Sequence, residues 1–261
     1  MKAMILAAGL GTRLRPLTND RPKALVEVAG RTLLQITLER LQRFGVREVI
    51  VNTHHFAEMI RECLRSSENL GMRIEISEET ALLDTGGGLK RAAWFFLETG
   101  ADEPFLLHNV DVISSIDLSE LARFHAERDA LATLAVQDRA TSRYLLFDEN
   151  GFLCGRRAGL DGETQMVRSA AETTALAFSG IHVLSPRIFA EMTEDGAFSI
   201  IGAYLRLAGL GERIAAYRAD GCYWRDLGRV ADLLAAARDV ESGLAQNGNG
   251  PMDEGQFHES E

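Results

Sequence analysis

With 261 residues, 46% of them hydrophobic, the chain can bury a sizeable core, as one large α/β domain or one domain with a small addition. Its 28 basic residues against 38 acidic ones, a net charge of -10, argue against a nucleic-acid surface, and its longest apolar runs, such as 92–97, fall well short of the roughly 18 residues of a membrane span. Cys63, Cys154 and Cys222 are odd in number and widely spaced, so free or buried thiols in a reducing cytoplasm are expected, not a disulfide or zinc framework.

The chain opens on a short apolar run, Met4, Ile5 and Leu6, which reads as a buried strand running into a glycine loop with Ala8, Gly9 and Gly11. The run is too short for a signal-peptide core, so no export is expected. Bare glycine backbone lets a ligand come close. Five cations (Lys2, Arg13, Arg15, Arg21 and Lys23) against the single acid Asp20 gather positive charge over 1–23 of an otherwise acidic chain, which points to an anionic ligand. A dinucleotide fingerprint needs a third glycine where Leu14 stands, and no P-loop string follows the strand. On spacing alone, an ordinary turn with solvated charges stays open.

Further along, Leu25, Val26 and Val28 lead to Gly30. Thr32 with Gln35 reads as a capping box, and Leu34, Leu38 and Leu41 mark a helix that Gly45 stops. A strand at 49–51, a helix at 56–64 and a strand at 72–76 complete a βαβα rhythm. This predicts a mostly parallel sheet with helices on both faces and ligands at the carboxyl ends of its strands. His54 and His55 point apart and lack a partner cluster, so no metal is assigned to them. At 78–89 three glycines open a helix carrying Leu89, Ala93 and Phe96; the stretch is either a ligand-facing loop with free N–H groups or a helix start capped by Asp84.

The apolar strand 105–110 finishes in Asn109 and Asp111. A carboxylate there is costly to half-bury unless a cation or metal meets it. His108 reads as packed under the sheet. Asp117 and Glu120 cap a helix with Leu118 and Leu121, and 131–136 is a strand. From Tyr144 the rhythm changes to a hairpin turning at 148–151, followed by a strand at 175–184, a helix at 199–207 and a strand at 214–217. Locally, Asp226 reads as the N-cap of a helix over 230–237. The expected organisation is a single domain over 1–245 and a disordered Gly-, Asn- and acid-rich tail over 246–261.

AAGLGTRLRPLT followed by RPKALVEVAG resembles the signature of the sugar-phosphate nucleotidyltransferases, AAGxGxRxxPLT then PKxLxxVxG, and the similarity runs to about Val240. Within that family the chain is similar to the bacterial uridylyl-, guanylyl- and thymidylyltransferases, the N-acetylmuramate-1-phosphate uridylyltransferases in particular. LDTGGG is similar to the LETGGG string of the latter. The resemblance implies a Rossmann-like fold with a small β insertion that forms the sugar pocket. The implied partners are a nucleoside triphosphate and a sugar-1-phosphate, joined in the cytoplasm by a monomer or small homo-oligomer with Mg²⁺ as cofactor.

By the same resemblance, Arg13 and Lys23 are the catalytic cations. Leu6, Ala8, Gly9, Gly11, Thr12, Arg13 and Lys23 bind the triphosphate, Gly86 and Gly87 the base, and Asp111 and Asp226 the metal. Asn109, Arg143, Tyr144, Glu172 and Gly180 are candidates for the sugar side. Two departures stand out: Val110 occupies the glycine position of the family's Asn-Gly-Asp, and Arg229 replaces the threonine of W-x-D-x-G-T. The glycine loop favours UTP and the compact chain an N-acetylmuramate- or hexose-type phosphate, with guanylyl or thymidylyl transfer as the alternative. A silent nucleotide-sugar sensor would be expected to have lost one of Arg13, Lys23, Asp111 and Asp226. All four are present.

Overall fold

A computed structural model describes residues 1–242 except 67, 99, 101 and 160; the tail expected over 246–261 lies outside the described residues. In chain order the first half contains β1 (Lys2–Leu6), β2 (Glu27–Val28), β3 (Arg31–Thr32), α1 (Leu33–Arg43), β4 (Glu48–Thr53), α2 (Ala57–Ser66), β5 (Arg73–Glu78), α3 (Asp84–Arg91) and α4 (Ala93–Leu97). The second half contains β6 (Phe105–Asn109), β7 (Val112–Ser114), α5 (Leu118–Arg128), β8 (Ala132–Gln137), β9 (Arg143–Phe147), β10 (Leu153–Ala158), β11 (Thr164–Met166), β12 (Thr174–Leu184), α6 (Ile188–Glu191), α7 (Ile200–Gly209), β13 (Ile214–Arg218), β14 (Trp224–Asp226) and α8 (Val230–Glu241).

The central strands run parallel in the order β6-β1-β4-β5, and β12 continues the sheet antiparallel to β6. Beyond β12 lie the hairpin β9-β10 with its edge strand β11, while β8, with β13 parallel to it, branches from the other part of β12. Side-chain alternation explains why the central strands read as continuous apolar runs. Ala3 and Ile5 join one core and Met4 the other; Val49 and Val51 oppose Ile50, and Leu106 opposes Phe105 and Leu107. Leucines of α1 and α5, Ile60 of α2 and Leu233 of α8 close the first core, and α3, α4, α6 and α7 close the second. Helices therefore cover both faces, as the βαβα rhythm predicts.

The caps read from sequence form. The Thr32 hydroxyl accepts the Gln35 N–H at 3.1 Å while the Gln35 carboxamide accepts the Thr32 N–H at 3.0 Å, and Asp117 accepts the N–H groups of Ser119 and Glu120 at 2.8 and 3.0 Å. Two expectations change. The helix expected to run from the three glycines through Phe96 is broken at Ala92 into α3 and α4. Asp226 is not a helix cap: Arg229 occupies that position, and Asp226 belongs to a two-stranded ribbon of β7 and β14 that stands apart from the main sheet. Among the described residues no helix is long and apolar enough to cross a membrane.

Candidate active site

At the carboxyl end of β1 the Asn52 carboxamide accepts the Ala7 N–H at 2.7 Å, which fixes where the chain leaves the sheet. Gly11 then takes the left-handed conformation, φ 62° and ψ 25°, and opens a 3₁₀ turn over Thr12–Leu14. The turn is closed by the Leu14 N–H on the Gly11 carbonyl at 2.8 Å and pinned by the buried Leu14 side chain. The Thr18 hydroxyl donates to the same carbonyl at 2.9 Å, and a Cβ on Gly11 would stand 2.9 Å from Thr18 Cγ2. Both the backbone angle and the crowding demand glycine here.

Pro22, extended, turns the chain into a second 3₁₀ turn, Lys23–Leu25, and Lys23 is buried at its start. The Lys23 ammonium pairs with Asp111, its side chain only 10% exposed and that of Asp111 21%. The ribbon brings the second acid to the first: Asp226 lies opposite Val112, and the Leu227 N–H donates to the Asp111 carbonyl at 2.8 Å. Asp226 accepts the Gly228 N–H at 2.6 Å. A Cβ on Gly228 would stand 2.7 Å from both the Arg13 guanidinium and the Asp226 carboxylate, so Arg13 lies against bare backbone beside that acid.

These groups surround a cavity of about 360 Å³ lined by Leu6, Ala7, Gly9 to Arg13, Lys23, Leu82, Val110, Asp111 and Gly228. The lining offers two cations, a loop of glycine backbone and the Asp111 carboxylate that pairs with Lys23, and the Asp226 carboxylate stands just behind Gly228. The cations suit phosphate oxygens, the guanidinium as a planar fork and the ammonium as a point charge. The carboxylates are oxygen donors of the kind a hard cation takes, and Mg²⁺ typically uses one or two of them together with water and substrate phosphates. Among the described residues no group of three or more His, Cys, Asp or Glu side chains surrounds a metal position, so such a cation would complete its shell from solvent and ligand. The donor set fits Mg²⁺.

The sequence profile of the family described as Nucleotidyl transferase matches residues 2–243. The chain belongs to that family. It is 37% identical to the N-acetylmuramate alpha-1-phosphate uridylyltransferase of Caulobacter vibrioides, over 92% of this chain and 97% of that one. It is 31% identical to the enzyme of the same name from Neisseria meningitidis, over 90% and 96%. It is also 31% identical to the mannose-1-phosphate guanyltransferase of Yarrowia lipolytica, over 90% of this chain and 62% of that longer one. Among solved structures, HddC from Yersinia pseudotuberculosis, complexed with GMP-PN, shares the fold with a TM-score of 0.71 at 22% identity, over 92% of this chain and 99% of that one.

As a sugar-1-phosphate nucleotidyltransferase, the chain distributes its candidate residues unevenly around this cavity. Leu6, Gly9, Gly11, Thr12, Arg13, Lys23 and Asp111 line it, Asp226 stands behind Gly228, and Ala8 is buried without lining it. Gly86 and Gly87 require a correction. They are not open backbone awaiting a base: they are buried inside α3, and their N–H groups donate to the Phe198 carbonyl at 2.9 and 3.3 Å. In this part of the transferase it is Leu82, three residues after the buried Glu79, that reaches the cavity.

On the sugar side, Asn109 lies against Gly180, whose Cβ would stand 2.8 Å from its carboxamide nitrogen. Tyr144 of β9 is buried and lies opposite Ala177 of β12, the strand that carries Gly180, while Arg143 and Glu172 are exposed; none of these five lines the cavity itself. Val110 is buried on the cavity wall and donates its N–H to the Leu6 carbonyl at 3.2 Å.

Three residues of the transferase site escape the sequence reading. Asn52, besides holding Ala7, donates to the buried carboxylate of Glu79 at 2.7 Å, and that carboxylate accepts the Leu83 N–H at 3.0 Å, so two side chains tie the glycine loop to the Leu82 wall. The one available signal is a polar residue ending an apolar strand. Arg139 stacks on Trp224 at 3.6 Å and donates to the Phe178 carbonyl at 2.8 Å, while the Trp224 indole donates to the Ser179 carbonyl at 2.7 Å. Burial lowers the Arg139 pKa and nearby Asp226 opposes that shift. Nothing local to Arg139 announces this.

Proposed function

We propose that the enzyme joins UTP to an N-acetylmuramate-type sugar-1-phosphate and releases pyrophosphate, with Mg²⁺ held by Asp111 and Asp226. The observation that carries the reading is the meeting of Arg13, Lys23, the glycine loop and Asp111 on the lining of one cavity, with Asp226 brought up behind Gly228 by the β7-β14 ribbon. The choice of UTP and sugar is supported by the identity to the Caulobacter and Neisseria uridylyltransferases.

An oxygen of the sugar phosphate attacks the α-phosphorus. A new P–O bond forms, the bond from that phosphorus to the α,β-bridging oxygen breaks, and its electron pair leaves on pyrophosphate. The nucleophile is already an anion at neutral pH, so no general base is required; what remains is alignment and charge neutralisation. Arg13 binds the β- and γ-phosphates and the departing pyrophosphate with its fork. Lys23 stands as a point charge beside the α-phosphate, and Gly11 and Thr12 bring loop backbone to the triphosphate. Mg²⁺, when bound, adds neutralisation of the phosphate oxygens. Asn109 and Gly180, with Arg143, Tyr144 and Glu172 on the hairpin side, contact the sugar.

The test is pyrophosphate release across UTP, dTTP, GTP, CTP and ATP against a panel of sugar-1-phosphates, with Mg²⁺ and with chelator. Turnover with UTP and N-acetylmuramate-1-phosphate that chelator abolishes is the expected result. Preference for GTP with mannose-1-phosphate would overturn the substrate assignment, and a silent grid the activity. Arg13→Ala and Lys23→Ala should each lower kcat/KM on the order of 100-fold, the scale of removing one donor to developing charge. Near-normal turnover in both variants would remove these two residues from the mechanism.

A further inference from the structure

A second recess of about 230 Å³, separate from the catalytic cavity, opens between α1 and β7, the strand that follows Asp111. It is lined by Arg31, Arg40 and Arg43 together with Glu39, Val112 to Ser114 and Val240. Three guanidiniums at one small recess are unusual in a chain of net charge -10. Their states differ. Arg31 is paired with Glu39 at 2.9 Å. Arg40 is buried, donates to the carbonyls of Ser114 and Ile116, lies 5.5 Å from the Phe44 ring and keeps a buried Nε without a partner. Arg43 is exposed and, among the described residues, makes no ion pair.

If Arg40 only braced the loop after β7, neither Arg31 nor Arg43 would be needed at the recess. Instead the buried guanidinium faces a second, uncompensated one. Burial first, and then the charge of Arg43, lower the Arg40 pKa to about 10 while Asp117 opposes the shift; with Arg43 unpaired beside it, the recess holds a deficit of counter-charge. An anion seated between them removes that deficit, and arginine forks suit the oxygens of a phosphate group.

We propose that the recess between α1 and β7 is a second anion site that takes a phosphate group through Arg31, Arg40 and Arg43. The site is coupled to catalysis because its back wall is the strand that follows Asp111. Val112 to Ser114 line the recess, Val112 is the residue opposite Asp226, and Arg40 grips the carbonyls at and just beyond the end of that strand. A ligand that tightens this wall acts on the segment holding both carboxylates. The phosphate group belongs either to free inorganic phosphate or to a nucleotide.

Thermal unfolding of the full chain, without Mg²⁺, tests the site independently of turnover. The probes are inorganic phosphate and UMP, on the wild type, on an Arg13→Ala/Lys23→Ala variant that disables the catalytic cations, and on an Arg31→Ala/Arg43→Glu variant. The expected result is a Tm rise of several degrees that survives in Arg13→Ala/Lys23→Ala and disappears in Arg31→Ala/Arg43→Glu. A rise with inorganic phosphate assigns free phosphate, and a rise with UMP alone assigns a nucleotide. The converse pattern, loss in Arg13→Ala/Lys23→Ala and survival in Arg31→Ala/Arg43→Glu, or no rise in any protein, overturns the proposal. Because the readout is Tm, its failure is distinct from failure of the proposed reaction. Coupling predicts that the ligand also shifts the triphosphate KM by roughly 5-fold or more, a shift that levels off at saturating ligand, unlike direct competition, and that Arg43→Glu removes.

Discussion

Two glycine-rich stretches, one lining the cavity and one packed behind its Leu82 wall, use glycine for opposite reasons. Around Gly9 and Gly11 the backbone is open: Gly9 is exposed with no heavy atom within 4 Å of where its Cβ would stand, and Gly11 holds a left-handed turn that faces the cavity. At Gly86 to Gly88 the backbone is buried and crowded. A Cβ on Gly86 would stand 2.3 Å from the Phe198 ring, one on Gly87 2.3 Å from the Gly196 carbonyl oxygen, and one on Gly88 2.7 Å from both Asn52 and Glu79. The first stretch leaves room for a ligand; the second lets a helix lie against another segment of the protein. The cavity thus has a bare glycine lining on one side and, behind its Leu82 wall, a support that must stay tightly packed.

The largest effect should come from breaking the packed support. In Gly87→Ala the new methyl group meets a backbone oxygen that no side-chain rotation can move, so destabilisation of about 3 kcal/mol or more is expected, at the top of the range for overpacking. Chemical denaturation reads it directly. A Gly87→Ala protein with wild-type stability would show that α3 and the 196–198 segment do not rely on this contact.

Acid should weaken the packed interior while leaving the loop's backbone contacts intact. Burial pulls His108 and His125 down to a pKa of about 4 and His182 to about 3, from an ordinary value near 6.5. The rings are therefore neutral in the folded protein, and their contribution is complete above about pH 6.5. As pH falls below that, the unfolded chain takes up protons that the folded one refuses, and stability declines until the folded pKa is reached. At pH 5 each of the fully buried His108 and His182 should cost about 2 kcal/mol, measurable as a falling denaturation midpoint between pH 7 and pH 5. His182→Asn should flatten that decline; an unchanged slope would exclude this ring as a source.

These contrasts also explain how much of the molecule was legible in its sequence. The glycine loop was readable because its parts are contiguous: a strand, two glycines and two cations within the first 23 residues, each meaningful at short range. Capping at Thr32 and Asp117 was readable for the same reason. The role of Gly86 and Gly87 was not, since composition alone cannot tell a glycine kept bare for a ligand from one kept bare for Phe198 and Gly196, which arrive from the second half of the chain. Asp226 looked like a helix cap because the ribbon that carries it to Asp111 has three residues per strand and no periodicity to announce it. Arg139, Asn52 and Glu79 acquire their roles only from partners distant in sequence.

Gly11→Ala should fall between the two extremes. A non-glycine residue at φ 62° costs about 1–2 kcal/mol, and the methyl group also presses on Thr18, whose side chain has some freedom to yield. Stability should drop modestly and activity more, because the turn that orients Arg13 starts at this residue. If stability falls while kcat/KM stays at the wild-type value, the left-handed turn serves only the fold.

The smallest effect on stability, and the sharpest test of the bare lining, is Gly9→Ala. The added methyl group meets nothing within 4 Å and Gly9 does not need a positive φ, so the folded state tolerates it, and the loss of chain entropy in the unfolded state stabilises by up to about 1 kcal/mol. Any functional loss must then come from the ligand. With the triphosphate against the loop backbone, the methyl group holds the peptide away from it, and KM for the triphosphate should rise while Tm is unchanged or slightly higher. Gly87→Ala should give the reverse, a lower Tm and, in the fraction that remains folded, a nearly normal KM. Equal KM values for Gly9→Ala and wild type would mean that the open space at Gly9 is not occupied during turnover, and would confine the triphosphate's loop contacts to Gly11, Thr12 and Arg13.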